Sequence, residues 1–402
     1  MADKLPVVCI FGATDVTVRS AAWAPETETT DLACHCFATD VDLDAILRQF
    51  DPHVIVSVGA SRDFPNLFAA PFEIRRRWLH YPDLSDPGRI GADAFHCYLA
   101  VCLDRRPEEP LVSVFTPTFR TGARFARTFR SVIAQSYINW EWVVWDDSDD
   151  DGRTYAMLEQ FAARDHRIKV IRPDRHSGII GEVKYNACMA SRGDLLVELD
   201  HDDELMPNAL EHVANAARRY PDCGFFYSDF AELTSAMAPL RYPEGWGHGF
   251  GSYREEKVRG VTLAVANAPN VNAKTIRGLV AAPNHVRVWR RETYLQLGGH
   301  NRLLHVADDM ELMIRTFLAT TMVRIPTLCY LQYQDGDNTQ RIRNKDIQRH
   351  VRYLKWRYDR AIHDRLLALG VDDWIWDEAG QYADLDRPNP RIEPAASLVA
   401  EV

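Results

Sequence analysis

No run of apolar residues in this chain approaches the roughly 20 needed to cross a bilayer, so no segment reads as a transmembrane helix. The opening Met-Ala-Asp-Lys-Leu-Pro-Val-Val-Cys-Ile holds too short an apolar stretch for a secretory leader. Cysteine is sparse and scattered, at positions 9, 34, 36, 97, 102, 188, 223 and 329, without the paired spacing of a metal site. Cys34-His35-Cys36 has no second half at finger-like distance, so these residues read as buried free thiols of a reducing cytoplasm. Positive charge is also short: 47 Lys and Arg face 57 Asp and Glu, for a net charge of -10. That excludes a sequence-independent nucleic-acid binder, which needs a basic surface. It does not exclude an anionic nucleotide, because a metal ion can neutralise a diphosphate locally. The glycine fingerprint of dinucleotide folds is missing as well. Gly12-Ala13-Thr14 and Gly59-Ala60-Ser61 follow strand-like runs, but neither forms GxGxxG.

What is present is ample core material, 46% hydrophobic residues in 402, enough for two domains. A boundary falls at Arg105-Arg106-Pro107-Glu108-Glu109-Pro110, dividing a small α/β unit over 1–106 from a larger one over 107–340. In the first, apolar runs at 6–11 and 53–58 flank Leu43, Ile46, Leu47 and Phe50 at helical spacing, a flavodoxin- or Rossmann-like arrangement with no assigned chemistry. In the second, strands read at 111–116, 141–146, 168–172, 195–199 and 223–228. Between them lie the helical stripes Phe125, Phe129, Val132, Ile133; Tyr155, Leu158, Phe161; and Leu210, Val213, Ala214, Ala217, the last starting at Pro207. This alternation predicts a Rossmann-like, mostly parallel sheet with its ligand crevice at the carboxyl ends of the strands. A long amphipathic helix near 345–368 and a loose tail make up 341–402.

The polar residues cluster at those strand ends. Val197 to Pro207 runs from an apolar strand into Asp200, Asp202 and Asp203, and alternate carboxylates just past a strand end can hold a hard divalent cation that leaves positions open for phosphates. An acidic loop capping a helix is the plainer alternative. The first strand ends Thr116-Pro117-Thr118-Phe119, offering hydroxyls and an aromatic face to a nucleobase and ribose, or simply a strand stopped by proline. The second ends Asp146-Asp147-Ser148, where a carboxylate can accept a base N–H or ribose hydroxyl, or serve a solvated turn. Asn186, in the helix that follows Gly178, could turn its amide to the crevice. Asp308-Asp309 follow Gly298-Gly299-His300, and Asp309 is either a general base or a favourable helix N-terminal charge. The glycine-rich stretch 242–253 carries Trp246, Phe250 and Tyr253, able to stack on a sugar or to close a tightly wound loop.

Taken in order, these segments resemble the family 2 glycosyltransferases of GT-A fold, over about residues 111–340. Val112 to Phe119 looks like that family's first strand, and Ser131-Val132-Ile133-Ala134-Gln135-Ser136 with Asp146-Asp147-Ser148 looks like its SV-x-x-Q-S and DD-x-S elements. Leu199 to Asp203 looks like its DxD element, and Gly298-Gly299 with Asp308-Asp309 and Leu312 like its acidic acceptor-side motif. The resemblance implies that Pro117, Thr118 and Phe119 border the base, that Asp147 binds uracil or a similar ring, and that Asp200 and His201 lie on the nucleotide-sugar side. It makes Asp202 the main metal ligand for Mn²⁺ or Mg²⁺, Asp309 the catalytic base, and His285 a neighbour of the donor sugar or acceptor. The sequence departs from the family at Arg120, where Asn is common. It departs again at 333–339, where a metal-binding His is absent, so that either Gln334 or Asp335 stands in as an oxygen ligand or the metal relies on the DxD element and water.

The implied reaction is inverting transfer from a nucleoside-diphosphate sugar, UDP-linked by preference, to a hydroxyl acceptor. A carboxylate removes the acceptor proton as the metal stabilises the departing diphosphate. A sugar-nucleotide pyrophosphorylase would share the sheet, carboxylates and metal, but would need a Gly-rich basic loop after the first strand, which Thr118-Phe119-Arg120-Thr121-Gly122 scarcely provides. A binding module without catalysis would have no use for Asp309. The acceptor, placed near Trp246 and Asp308, and the oligomeric state are not legible in the residues.

Overall fold

A computed structural model describes residues 7–12, 33–38, 41–59, 63–64, 66–67, 74, 77–81, 83–85, 90–91, 93–94, 97–98, 110–165, 167–278, 283–334, 343–373 and 375–376. Strands β1 (Val7–Phe11), β2 (Ala33–Phe37), β3 (Val54–Val58) and β4 (Trp78–Tyr81) form a small sheet in the order β2-β1-β3-β4, with every pairing parallel. Helix α1 (Leu43–Phe50) begins at Asp42, whose carboxylate accepts from Ala45 N at 3.0 Å, and buries Leu43 and Ile46. This is the Rossmann-like arrangement expected of the first unit. The boundary stretch, the 335–340 loop and the tail from 377 lie outside the described residues, except for Pro110.

The larger sheet starts with β5 (Val112–Thr118), β6 (Trp140–Asp146), β7 (Ile168–Ile171) and β8 (Leu195–Glu198), ordered β7-β6-β5-β8 and parallel. These strands are buried along their whole length, because α2 (Phe125–Ile133), α3 (Arg153–Ala162), α4 (Ile180–Met189) and α5 (Ala209–Arg219) cover the sheet. The mostly parallel expectation holds only for this half. Beyond β8 the sheet continues antiparallel through β14 (Arg287–Arg290) and β10 (Phe225–Leu233). It then passes to β13 (Val261–Asn267) and β12 (Ser252–Val258), while β15 (Met322–Tyr333) runs parallel to β10 and the two-residue strands β9 (Glu204–Leu205) and β11 (Pro239–Leu240) pair with β15 and β10.

Several local expectations shift. Strand β10 runs on to Leu233 instead of stopping at 228, because buried Asp229 is neutralised by Arg254 and Arg324 and accepts from Ala268 N. Helix α5 begins at Ala209, two residues after Pro207. Gln135 locks that entry by donating to Met206 O and accepting from Leu210 N. Ile133 is exposed, whereas Phe125, Phe129 and Val132 face the core. Helices α6 (Thr275–Gly278), α7 (Arg291–Gln296), α8 (Asp308–Ala319) and α9 (Asn344–Ala368) complete the layer. Helix α9 seats Val351, Leu354, Tyr358, Ile362 and Leu366 on α8.

The small unit touches the large sheet at a buried charge cluster. Glu141 of β6 accepts from Ser113 Oγ and Arg192 and pairs with Lys169 of β7 at 3.2 Å, and the Lys169 ammonium lies 5.9 Å from the Trp78 ring. Cys9, Cys97, Cys188 and Cys329 are buried. Among the described residues no helix is long and apolar enough to cross a membrane.

Candidate active site

The carboxyl ends of β5, β6 and β8 and the start of α8 converge on one crevice. On its β5 side Thr118 Oγ1 donates to Asp146 Oδ1 at 3.2 Å, and Ser148 Oγ donates to the same oxygen at 2.6 Å. Asp146 is thus consumed by the turn, and burial raises its pKa despite these donors. Pro117 and Thr118 are buried at the strand end, while Phe119 is exposed and tilts against His176 with ring centroids 5.6 Å apart. Arg120 takes a left-handed conformation, φ 47°, with its N–H on Ser148 Oγ at 2.8 Å. Asp147 is nearly buried and organises the next loop: Oδ1 accepts from Ser177 N and Oδ2 from Gly178 N, both at 2.8 Å. His176 approaches the same carboxylate at 3.0 Å. An amide-held carboxylate of this kind keeps further lone pairs for a ligand.

The acidic stretch after β8 divides by function. Asp200 N donates to Tyr330 Oη at 3.1 Å, and Tyr330 Oη donates to Asp203 Oδ2 at 2.8 Å, while Asp203 Oδ1 accepts from Tyr333 N. Asp203 is therefore a buried brace to β15, its pKa driven well up by burial and by Asp202 and Asp200. The chain thus turns Asp203 inward and away from Asp200 and Asp202. Asp200 and Asp202 keep 33% and 21% of their side chains exposed. Burial pulls Asp200 upward, but His285, whose Nε2 is 3.4 Å from Oδ2, and Lys184 together outweigh it and hold the group at about 2. His285 stacks on Tyr330, ring centroids 4.5 Å apart, and its Nδ1 is buried without a hydrogen-bond partner. Arg124 reaches Asp202 Oδ2 at 3.6 Å, and Arg127 donates to Asp202 O. His201 presents its carbonyl to the Thr121 and Thr128 hydroxyls and its Nδ1 to Thr121 Oγ1 at 2.8 Å. Helix α2 and the loop before it thus clamp the acidic loop.

Across the crevice, Gly298 and Gly299 take φ of 75° and 69°, and a Cβ on Gly299 would sit 2.7 Å from the Tyr294 ring. Arg315 donates to Gly299 O at 2.8 Å and pairs with Glu311, fixing this turn to α8. Asp308 points inward to Lys184 Nζ at 3.3 Å; burial raises its pKa, to about 6, against the pull of Lys184. Asp309 is partly exposed and pairs with Arg287 at 3.2 Å.

Three residues at the centre of the site escaped the sequence reading: Lys184, Glu198 and Arg287. Lys184 is 2.6 Å from Glu198 Oε1, and Arg287 is 3.2 Å from Glu198 Oε2. Burial opposes ionisation of Glu198, yet the two cations hold its pKa well below the usual carboxylate range. Asn186 lies half-buried on α4, about 200° around the helix from Lys184. The signal for Glu198 was its place two residues before Asp200, on the same side of an extended chain. Trp246 stacks on Tyr242, tilts against Tyr253, and is packed so closely to Gly251 that a Cβ there would meet the indole at 2.2 Å. Asp335 lies outside the described residues, and among those described no group of three His, Cys, Asp or Glu gathers as a metal set.

Residues 113–270 match the family described as Glycosyl transferase family 2. Over 220 residues the chain is 28% identical to the O-antigen biosynthesis protein RfbC of Myxococcus xanthus, covering 54% of this chain and 15% of that protein. Over 122 residues it is 35% identical to the putative colanic acid biosynthesis glycosyl transferase WcaA of Escherichia coli K12, covering 30% of this chain and 42% of that protein. The chain thus spans less than half the length of either relative. S. aureus TarS 1-349 in complex with UDP-GlcNAc shares a TM-score of 0.47 at 16% identity, over 64% of this chain and 72% of that one. The fold class is the one the sequence implied, a GT-A-type α/β unit preceded by a smaller α/β unit.

Proposed function

We propose that the chain transfers a sugar from a nucleoside-diphosphate donor, UDP-linked by preference, to a hydroxyl acceptor with inversion at the anomeric carbon. The match of residues 113–270 to a glycosyl transferase family supports the reaction class. The observation that carries the site assignment is the charge bridge across the crevice. Arg287 joins Glu198, two residues before Asp200, to Asp309 at the mouth of α8. Donor-side and acceptor-side carboxylates are thereby held in one rigid network.

In this reading Phe119 stacks on the base, Asp147 accepts its N–H, and Asp200 and His285 flank the ribose and sugar. Asp309 accepts the acceptor hydroxyl proton while the new C–O bond forms and the bond to the diphosphate breaks, its electron pair leaving with the nucleotide. Arg287 holds Asp309 in position; Asp308, facing Lys184, is a support rather than a base. The hard, partly exposed oxygens of Asp200 and Asp202 fit Mg²⁺ or Mn²⁺, which binds through one or two carboxylates and completes its shell with water and phosphate. Such an ion would supply Lewis-acid stabilisation of the departing diphosphate.

The test is binding of UDP and UDP-sugars by calorimetry, with Mn²⁺ or with EDTA, in wild type and Asp202→Ala. Wild type should bind with Mn²⁺ and lose most affinity in EDTA, and the variant should bind weakly in both. Equal affinity of the wild type in EDTA removes the metal from the account, and no nucleotide binding at all removes the donor.

A further inference from the structure

Helix α9 has a face that glycosyl transfer does not use. Its inner side is buried on α8, and Tyr358 Oη donates to Glu311 Oε1 at 2.7 Å. Its outer side carries Lys345, Arg349, Arg352, Trp356, Arg360 and Leu367, which fall within an arc of about 80° at 3.6 residues per turn. The acid nearest the arc, Asp359, is buried against Arg277; the exposed ones, Asp346 and Asp364, lie further round, the latter paired with Arg360 at 3.0 Å. In a chain of net charge -10, a row of four basic residues on one helix face is a local inversion of sign.

Apolar groups share that row. Trp356 is 44% exposed at its centre, and Leu367, Leu369 and Val371 are 53%, 49% and 44% exposed at its carboxyl end. Of the eleven large hydrophobic residues exposed among the described residues, Trp356 and Leu367 lie on α9, and Leu369 and Val371 follow just past its end. Cations alone suit any polyanion. Aliphatic side chains in line with them have nothing to bury against a phosphodiester backbone, but they insert at the boundary between lipid headgroups and acyl chains. A tryptophan is the side chain best suited to that boundary.

We propose that the outer face of α9 docks this protein on an anionic lipid surface, with the basic side chains on lipid phosphates and Trp356 and Leu367 in the interface. The docking stands independently of the transfer reaction. It would place the crevice beside the bilayer, because α9 lies directly on the helix that begins with Asp308-Asp309, and Arg343 donates to His305 O at 3.2 Å.

The experiment is co-sedimentation of the whole chain with vesicles of phosphatidylcholine alone or with a third of phosphatidylglycerol, at low and high salt. The anionic vesicles should pellet the protein and the neutral ones should not, and high salt should release it. Arg349→Ala should weaken partitioning about fivefold, the equivalent of one basic residue near the surface. Arg349→Glu with Arg352→Glu should abolish it, and Trp356→Ala should weaken it at low salt. All these positions are exposed or at the helix surface, so an unchanged melting temperature identifies variants that remain folded. Equal sedimentation with both vesicle types, or unaltered sedimentation of the folded double variant, overturns the proposal. So does binding of an RNA oligomer when vesicles leave the protein in solution.

Discussion

Arg287 reaches Asp309 Oδ2 at 3.2 Å with one terminal nitrogen while the other lies 3.2 Å from Glu198 Oε2. One buried guanidinium therefore spans two carboxylates from separate parts of the chain, a geometry for which its planar fork is suited. Arg287→Lys retains charge but has a single nitrogen for both partners. We expect the variant to fold, to bind donor nearly as wild type, and to lose roughly tenfold or more in kcat through a misplaced Asp309. Arg287→Met should instead cost about 3–5 kcal/mol in urea unfolding, since it strands a buried Glu198 with Lys184 as its remaining partner in the bridge.

Asp147 links the nucleotide side to loop order. Its two oxygens hold the amides of Ser177 and Gly178, so Asp147→Ala should lower stability by about 1–3 kcal/mol as well as weaken nucleotide binding. The loss of affinity should be equal for UDP and for a UDP-sugar, because a base contact is common to both. A loss confined to the sugar donor would move Asp147 to the sugar pocket.

The contact between the two units makes a pH prediction. His80 is buried, accepts or donates at Ser57 Oγ over 2.8 Å, and is held down at about 3 by burial and then by Lys169. The unfolded chain takes up a proton near pH 6.5 that the folded chain refuses until far lower, so stability falls as pH drops through that interval. Between about pH 7 and pH 5 the loss attributable to this group is roughly 2 kcal/mol. His80→Gln should flatten the acid side of the melting-temperature profile over this range, and an unchanged slope would remove His80 from the interface account.

Motifs that are continuous in the chain were legible before the fold was seen. Asp200 and Asp202 end an apolar strand, and Asp308-Asp309 follow a double glycine, so spacing alone marks them. Lys184, Glu198 and Arg287 were not legible, because each is a charge inside a helix or strand whose burial is tolerable only through the other two. The inward turn of Asp203 depends on Tyr330 and Tyr333, far along the chain, and no local pattern announces it. The same holds for Asp229, which reads as a strand breaker until Arg254 and Arg324 are brought beside it. The packing of Trp246 between Tyr242 and Tyr253 was likewise hidden in a stretch that shows only glycines and aromatics.

The most direct test is the turnover of Asp309→Asn, measured with the donor identified by calorimetry and its acceptor. Asn preserves the shape of the side chain and is itself well tolerated at a helix start, so folding and donor affinity should stay near wild type. If Asp309 removes the acceptor proton, transfer should fall about 10²–10⁴-fold, in kcat rather than in donor KM. Near-full turnover by Asp309→Asn would contradict the account, leaving Asp309 as a helix N-terminal charge and the crevice without its base.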